Sequence, residues 1–298
     1  MDDVNPLEHK NVLVLTLGMD WSLVAKPFIA ATLHAVQNAL DETRANLSMA
    51  NIPAADRVPE ILLRKPFDGV IIKTALQGCD LLADGCPALI EALKRLPTVW
   101  ILGRPPRSWG DVVHSNDMAV GQMAAEHLIS RGHRQLAFVS PKPSYMAVTR
   151  RLASFSTFAQ QAGAEVKLYL GDPGRWHFPV PAINHVDAVQ GLIDELLAER
   201  KRPTAIFTTD DSVGAMVVRA LTVRGLQAGR DISLISCNNE QQLLMGIYPE
   251  LTTIDIHADE IGRRAVDQLA WRITRGDRPT CEVVVDPTLV EGASVAQI

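Results

Sequence analysis

Short apolar runs alternate with striped helical stretches along the whole chain, and this alternation restricts the fold more than any other property of the sequence. Val12-Leu13-Val14-Leu15-Thr16-Leu17 is almost unbroken in its apolarity, as expected of a strand covered on both faces of a parallel sheet. A helix should follow, with Ile29, Leu33, Val36 and Leu40 on one stripe. Gly69-Val70-Ile71-Ile72 and Thr98-Val99-Trp100-Ile101-Leu102 read as the next strands, with a helix through Leu89, Ala92, Leu93 and Leu96 between them. Val112-Val113-His114 is a short strand, and Ser115-Asn116-Asp117 caps a helix that stops at Gly132. A second series follows. It has strands near Gln135–Val139, Val166–Leu170, Thr204–Thr208, Ile232–Ile235 and Val283–Val285, separated by helices that carry Leu152, Phe155 and Phe158, then Val189, Leu192 and Ile193, then Val213, Met216 and Val217, then Ile261, Ala265 and Val266. Strands alternating with helices imply parallel sheets with helices on both faces. There are too many strands for one compact sheet, so the fold expected is α/β, with two doubly wound lobes.

The bulk numbers agree. The 298 residues suit about two domains. With 47% hydrophobic residues and a net charge of −5, the chain can bury a full core and is not a disordered one. Lys and Arg form no long basic stripe, so the usual electrostatic footprint of a nucleic-acid binder is missing. Arg200-Lys201-Arg202 reads as a solvated helix end. The start, Met1-Asp2-Asp3-Val4-Asn5-Pro6, lacks the apolar stretch of a secretory signal, and no run approaches the length of a membrane span. Cys79, Cys86, Cys237 and Cys281 show no metal-like spacing and read as reduced thiols of a cytoplasmic protein, with a Cys79–Cys86 disulfide as a weaker alternative. No nucleophile elbow, phosphate loop, dinucleotide fingerprint or zinc-protease helix occurs. Asp210-Asp211 is the one conspicuous carboxylate pair, but neighbours on a strand point to opposite faces. No catalytic residue, metal or cofactor is therefore expected, and the chain reads as a binder rather than an enzyme.

One long connection, Gly171 to Val186, carries three prolines, Trp176 and Phe178. Structureless stretches of this length are usually functional, and a lid over a ligand is the reading favoured over a plain surface loop.

Several blocks then appear in a fixed order. They are Ser115-Asn116-Asp117 with Gly121, Glu126-His127-Leu128-Ile129, Gly132-His133-Arg134, Arg151-Leu152-Ala153-Ser154-Phe155, Thr209-Asp210-Asp211, Ile232 to Asn239, Leu251-Thr252-Thr253-Ile254, Gly262, and Pro287-Thr288-Leu289-Val290. Together they resemble the effector-binding core of the LacI/GalR family of bacterial transcription regulators, from about Val12 to Ser294. The resemblance implies two lobes joined by a three-strand hinge, with crossings near Asp117, Ile254-Asp255 and Val283-Val284. One lobe would hold residues 10–117 and 255–283, the other 118–254 and 284–298.

Such sheets bind ligands beyond the carboxyl ends of their strands. The candidates there are Asp20, Trp21, Lys73, Thr74 and Arg104 in the first lobe, and Arg151, Trp176, Asp210 and Asn238 in the second, with Asn116 at the hinge. Each has a structural rival: a helix cap for Asp210 and Asn116, a surface ion pair for Arg151, loop packing for the tryptophans. The family commonly sets the matching arginine, Asn/Asp and Asp positions of its second lobe on effector hydroxyls. Here Asp210 stands for the usual Asn and Asn238 for the usual Asp, which implies that the carboxylate has changed sides of the pocket. Family members also carry a helix-turn-helix head, which nothing here matches. The expectation is a regulatory core that binds a sugar or sugar derivative, forms a homodimer and acts on operator DNA through that head. A solute-binding protein of a transporter is the alternative.

Overall fold

The computed structural model describes residues 5–76, 80–174, 176–182 and 185–298. In chain order the elements are β1 (Asn11–Leu17), α1 (Trp21–Val24), α2 (Pro27–Glu42), β2 (Asn46–Ile52), α3 (Glu60–Arg64), β3 (Gly69–Thr74), α4 (Leu81–Asp84), α5 (Pro87–Lys94), β4 (Thr98–Ile101), β5 (Asp111–Ser115), α6 (Asp117–Ser130) and β6 (Gln135–Ser140). There follow α7 (Met146–Gln161), β7 (Glu165–Leu170), α8 (Val186–Ala198), β8 (Ala205–Thr208), α9 (Asp211–Thr222), β9 (Ser233–Cys237), α10 (Gln241–Leu244), β10 (Thr252–Asp255), α11 (Ala258–Thr274), β11 (Glu282–Val285) and β12 (Thr288–Val290).

Two compact units result. Unit 1 takes the described residues of Met1–Ser115, Arg175–Ala182 and His257–Val285; unit 2 takes those of Asn116–Gly174, Ile183–Ile256 and Asp286–Ile298. Each is built on a six-stranded sheet, in the order β11-β5-β4-β3-β1-β2 for unit 1 and β12-β10-β9-β8-β6-β7 for unit 2. Every pairing is parallel except β10 with β12. This is the expected doubly wound α/β architecture, and all five tryptophans fall in unit 1 while all three tyrosines fall in unit 2.

The sheet of unit 1 separates two cores. One contains Val12, Val14, Ile71, Val99 and the stripes of α2 and α11; the other contains Leu13, Leu15, Leu17, Val70, Ile72 and Trp100. Strand alternation sends odd and even residues of β1 to opposite faces, which is why the whole run is apolar. Asp111 opens β5 and is fully buried. It accepts from Arg272 through both oxygens (2.6 and 2.8 Å), from Gln268 (2.6 Å) and from the Cys281 amide (2.8 Å). Burial disfavours its charge, but the hydrogen bonds of Arg272, Gln268 and the amide outweigh burial and hold its pKa below the ordinary value. In unit 2 a core of Val189, Ile193, Val213, Val217 and Leu234 covers one face. Phe138, Phe155 and Phe207 form a second set, with ring centroids 5.1–6.2 Å apart.

Close helix contacts depend on two glycines of the matched blocks. A Cβ on Gly121 would lie 2.2 Å from the Arg151 carbonyl of α7, and one on Gly262 would lie 2.5 Å from the Thr32 carbonyl and 2.7 Å from the Ala35 Cβ of α2. Backbone cannot yield cheaply there. Gly262→Ala is therefore expected to lose about 1–3 kcal/mol of stability through overpacking, despite alanine's better helix propensity; a chemical-denaturation midpoint no lower than that of the parent protein would refute this.

Two features depart from the sequence reading. Strand β2 is absent from it, because Asn46, Ser48 and Asn51 leave no continuous apolar run on this half-exposed edge strand. The second is the long connection. Its central stretch lies in the span assigned by sequence to the second lobe, yet packs in unit 1. Val180 accepts from the Asp20 amide (3.1 Å) and donates to the Gly18 carbonyl (2.8 Å), while Trp176 and Phe178 pack on the first core. Gly18, at φ +70°, leaves the room that the Phe178 ring fills.

Candidate functional site

The carboxyl edge of the unit 2 sheet gathers the densest set of functional side chains. It is built around Arg151, which α7 supplies from its first half. The side chain is 5% exposed. Its Nε donates to Asp117 Oδ1 (2.9 Å), and its Nη1 to the Thr209 carbonyl (2.7 Å), Cys237 Sγ (2.6 Å) and Asn238 Oδ1 (3.3 Å). These acceptors come from the start of α6 and from the ends of β8 and β9, so one guanidinium ties three loops together. Burial works against its charge, but Cys237, Asp117 and Asp210 outweigh burial and hold the Arg151 pKa above its ordinary value. The Nη2 group has no partner among the described residues, so two N–H donors in a rigid fork remain for a guest.

Asp210 stands at the end of β8 and caps α9. Its Oδ1 accepts from the Val213 amide (2.9 Å) and the Ser212 hydroxyl (2.6 Å), and its Oδ2 lies 3.9 Å from Lys142 Nζ. The structural role expected as the rival reading is present, and the second oxygen also faces a cation. Asn238 follows β9 in a left-handed conformation (φ 104°), held by a bond from its amide to the Ile254 carbonyl. A neutral amide is apt at this position, since Asp117 and Asp210 already put two carboxylates around a single guanidinium. Tyr145 lies in the field of Asp117, Arg151 and Asp210; burial first, then Asp117, push its hydroxyl pKa up to about 12.

Asp211 points away from the edge. It is fully buried and accepts from Ser236, Thr253 (2.7 Å) and the Glu240 amide (2.7 Å), which locks the start of α9 to β9, β10 and the loop after β9. Burial lifts its pKa to about 6, against the pull of these donors. The Asp210-Asp211 pair thus divides into an edge residue and a core residue. Asn116 caps α6 through the Ala119 amide (3.0 Å) and donates to Asp286 (2.8 Å).

The unit 1 candidates do not form one cluster. Asp20 caps α1 through Ser22 Oγ (2.6 Å) and the Leu23 amide (3.1 Å). Trp21 is 71% exposed. Arg104 donates to the Gly110 carbonyl (2.5 Å), which secures the loop before β5. Thr74 donates to the Leu17 carbonyl (3.1 Å). Lys73 is buried and donates to the Thr74 carbonyl (2.8 Å). Trp176, expected as a lid of the second lobe, packs on the unit 1 core. Sequence reasoning missed Asp117 as the partner of Arg151, and also Tyr145, Lys142, Thr209 and Cys237. The Asp at the opening of α6 was visible, but its partner lies 34 residues further on, and no local signal joins the two.

Cys86, Cys237 and Cys281 are free thiols, and Cys79 lies outside the described residues. Among the described residues no group of three or more His, Cys, Asp or Glu comes together as a metal set, and no helix is long and apolar enough to cross a membrane.

Residues 125–295 match the model of the periplasmic binding protein-like domain. The chain belongs to that family. It is homologous to LacI-family regulators. It is 26% identical to the HTH-type transcriptional repressor PurR of Mannheimia succiniciproducens, over 95% of this chain and 82% of the repressor. It is 25% identical to the ribose operon repressor of Escherichia coli, over 94% of this chain and 82% of that protein. Among solved structures, a LacI-family transcriptional regulator from Enterococcus faecium with bound ribose matches with a TM-score of 0.76 and 22% identity, over 97% of this chain and all of the other. The regulator CelR in complex with cellobiose matches with a TM-score of 0.75 and 21% identity, over 97% and 86%. The sequence relatives of this family member are repressors, which supports the non-enzyme reading and does not favour the transporter alternative.

Proposed function

We propose that the chain is the effector-binding and dimerisation core of a LacI-type transcriptional repressor acting in the cytoplasm. Its effector is a small carbohydrate or related polar metabolite. Binding shifts the core between conformations and so changes the affinity of a helix-turn-helix head for operator DNA.

The observation that carries this reading is the unit 2 edge. A buried, rigidly held guanidinium keeps one amino group without a partner among the described residues, and Asp210 and Tyr145 share its electrostatic field. Paired donors and acceptors of this kind match vicinal hydroxyls, which both give and take hydrogen bonds. The ribose and cellobiose bound to the structural neighbours support a sugar as the class of guest.

Thermal-shift screening of a sugar panel that includes ribose and cellobiose tests the proposal. At least one sugar is expected to raise the melting temperature. Asp210→Ala should lose about 1 kcal/mol of stability with its cap and also lose most of the sugar-induced shift. A ligand shift undiminished in both Asp210→Ala and Arg151→Ala would reject the site. Dimerisation is checked by sedimentation: a monomer at micromolar concentration contradicts that part of the proposal.

A further inference from the structure

A cavity of about 370 Å³, large enough for a small metabolite, lies within unit 1. It sits where β4, β5 and β11 begin, the amino end of the sheet, opposite to the end at which such sheets take their ligands. The turn from α5 into β4, the loop before β5 and the turn after α11 form its walls. Lys94, Arg95, Arg272 and Arg278 line it, and no Asp or Glu does. In a chain with a net charge of −5 this is a local reversal of sign.

The four cations have different work. Arg272 is 6% exposed; it donates to both oxygens of Asp111 and to the carbonyls of Arg278 (2.6 Å) and Pro279 (2.9 Å). It is the floor, and it fixes the turn after α11. The other three are exposed and loosely held. Lys94 pairs with Glu91 (2.9 Å) and Arg278 lies 4.0 Å from Asp277, surface contacts that a ligand can displace at little cost. Glu91 is taken by Lys94, and no ion pair among the described residues holds Arg95. The dipole of α5 accounts for cations at its end. It does not account for Arg278, which lies beyond the end of α11 at Thr274. The remaining wall is aromatic. The Trp109 indole donates to Thr98 Oγ1 (3.0 Å), its carbonyl accepts from the Trp100 indole, and its ring meets Trp100 edge-on at 5.3 Å. Lys94 Nζ lies 5.9 Å from the centre of that ring. Walls tied in this way exist before any guest arrives, so little ordering is left for binding to do.

We propose that this cavity is a second ligand site, for a metabolite that carries a phosphate on a flat ring, the nucleotide class. A phosphate brings three acceptor oxygens and about two negative charges, which the forks of Arg95 and Arg278 and the ammonium of Lys94 can meet together. The fixed indole offers the ring a flat apolar surface. The inference concerns unit 1 alone and does not rest on the sugar-sensing function, whose site is the unit 2 edge.

Calorimetry with AMP, GMP, CMP and UMP tests it, with adenosine and inorganic phosphate as the separated halves, on the parent chain, Arg95→Gln, Arg278→Gln and the double variant. Both side chains are exposed, so the variants should keep the parent circular dichroism. At least one nucleotide is expected to bind the parent chain with a Kd below about 1 mM. Each single substitution should weaken it about ten-fold, and neither half should bind as tightly as the whole. Binding of no nucleotide, binding undiminished in the double variant, or a half that matches the whole overturns the inference. The sugar-induced melting shift should persist in the double variant; its loss would make these cations part of the sugar site and overturn a separate one.

Discussion

Replacing Arg151 with methionine should lower the stability of unit 2 by about 3–5 kcal/mol, the range found when one member of a buried ion pair is removed. The loss of attraction is the smaller part of the effect. Methionine fills most of the space, but the buried Asp117 carboxylate loses the Arg151 donor, as do the Thr209 carbonyl and Asn238 Oδ1. The double substitution Arg151→Met with Asp117→Asn removes the charge that Arg151 offsets and should recover a large part of the loss. Arg151→Lys should not substitute, because a point charge on a flexible stem cannot reach acceptors on three loops. Urea unfolding monitored by tyrosine fluorescence and circular dichroism is the measurement. A loss below 1 kcal/mol in Arg151→Met, or no recovery in the double variant, would contradict the hub described for this edge.

Lys73 should behave in the opposite way. Its pKa is about 7 in the folded chain, against 10.5 for an ordinary lysine. The unfolded chain therefore binds more protons than the folded one between pH 7 and about 10, and stability rises with pH across that window, by at most about 1.4 kcal/mol per pH unit. The cost is complete below pH 7, where it amounts to something on the order of 5 kcal/mol, and is gone above about pH 10.5. Lys73→Met is expected to be more stable than the parent chain at pH 7, and the advantage should shrink steadily towards pH 10. Denaturation of both proteins at a series of pH values measures it, and taking the difference cancels the other titrating groups. An advantage that is absent, or that does not change with pH, would show that the ammonium is solvated.

The pattern of the sequence revealed most of the fold and less of the site, for a common physical reason. Alternation of buried strands and striped helices is local and repeats, so β1, β3, α2, α6 and α9 could be read directly. Strand β2 escaped because an edge strand is half wet and can be polar. The strap escaped because its place depends on a tertiary seat, the space beside Gly18, and not on its own composition. At the site, the resemblance pointed to Arg151, Asp210 and Asn238, and these share one edge. Asp20, Trp21 and Arg104 were chosen only because they follow strands; their contacts are caps, solvent and a loop carbonyl. That Lys73 is buried could not be read, since a lysine closing a strand is more often solvated.

The separation of aromatic types between the two units gives the protein a built-in pair of reporters. Indole emission follows the melting of one half only, phenol emission the other, so a single titration can show whether the halves unfold together or in turn.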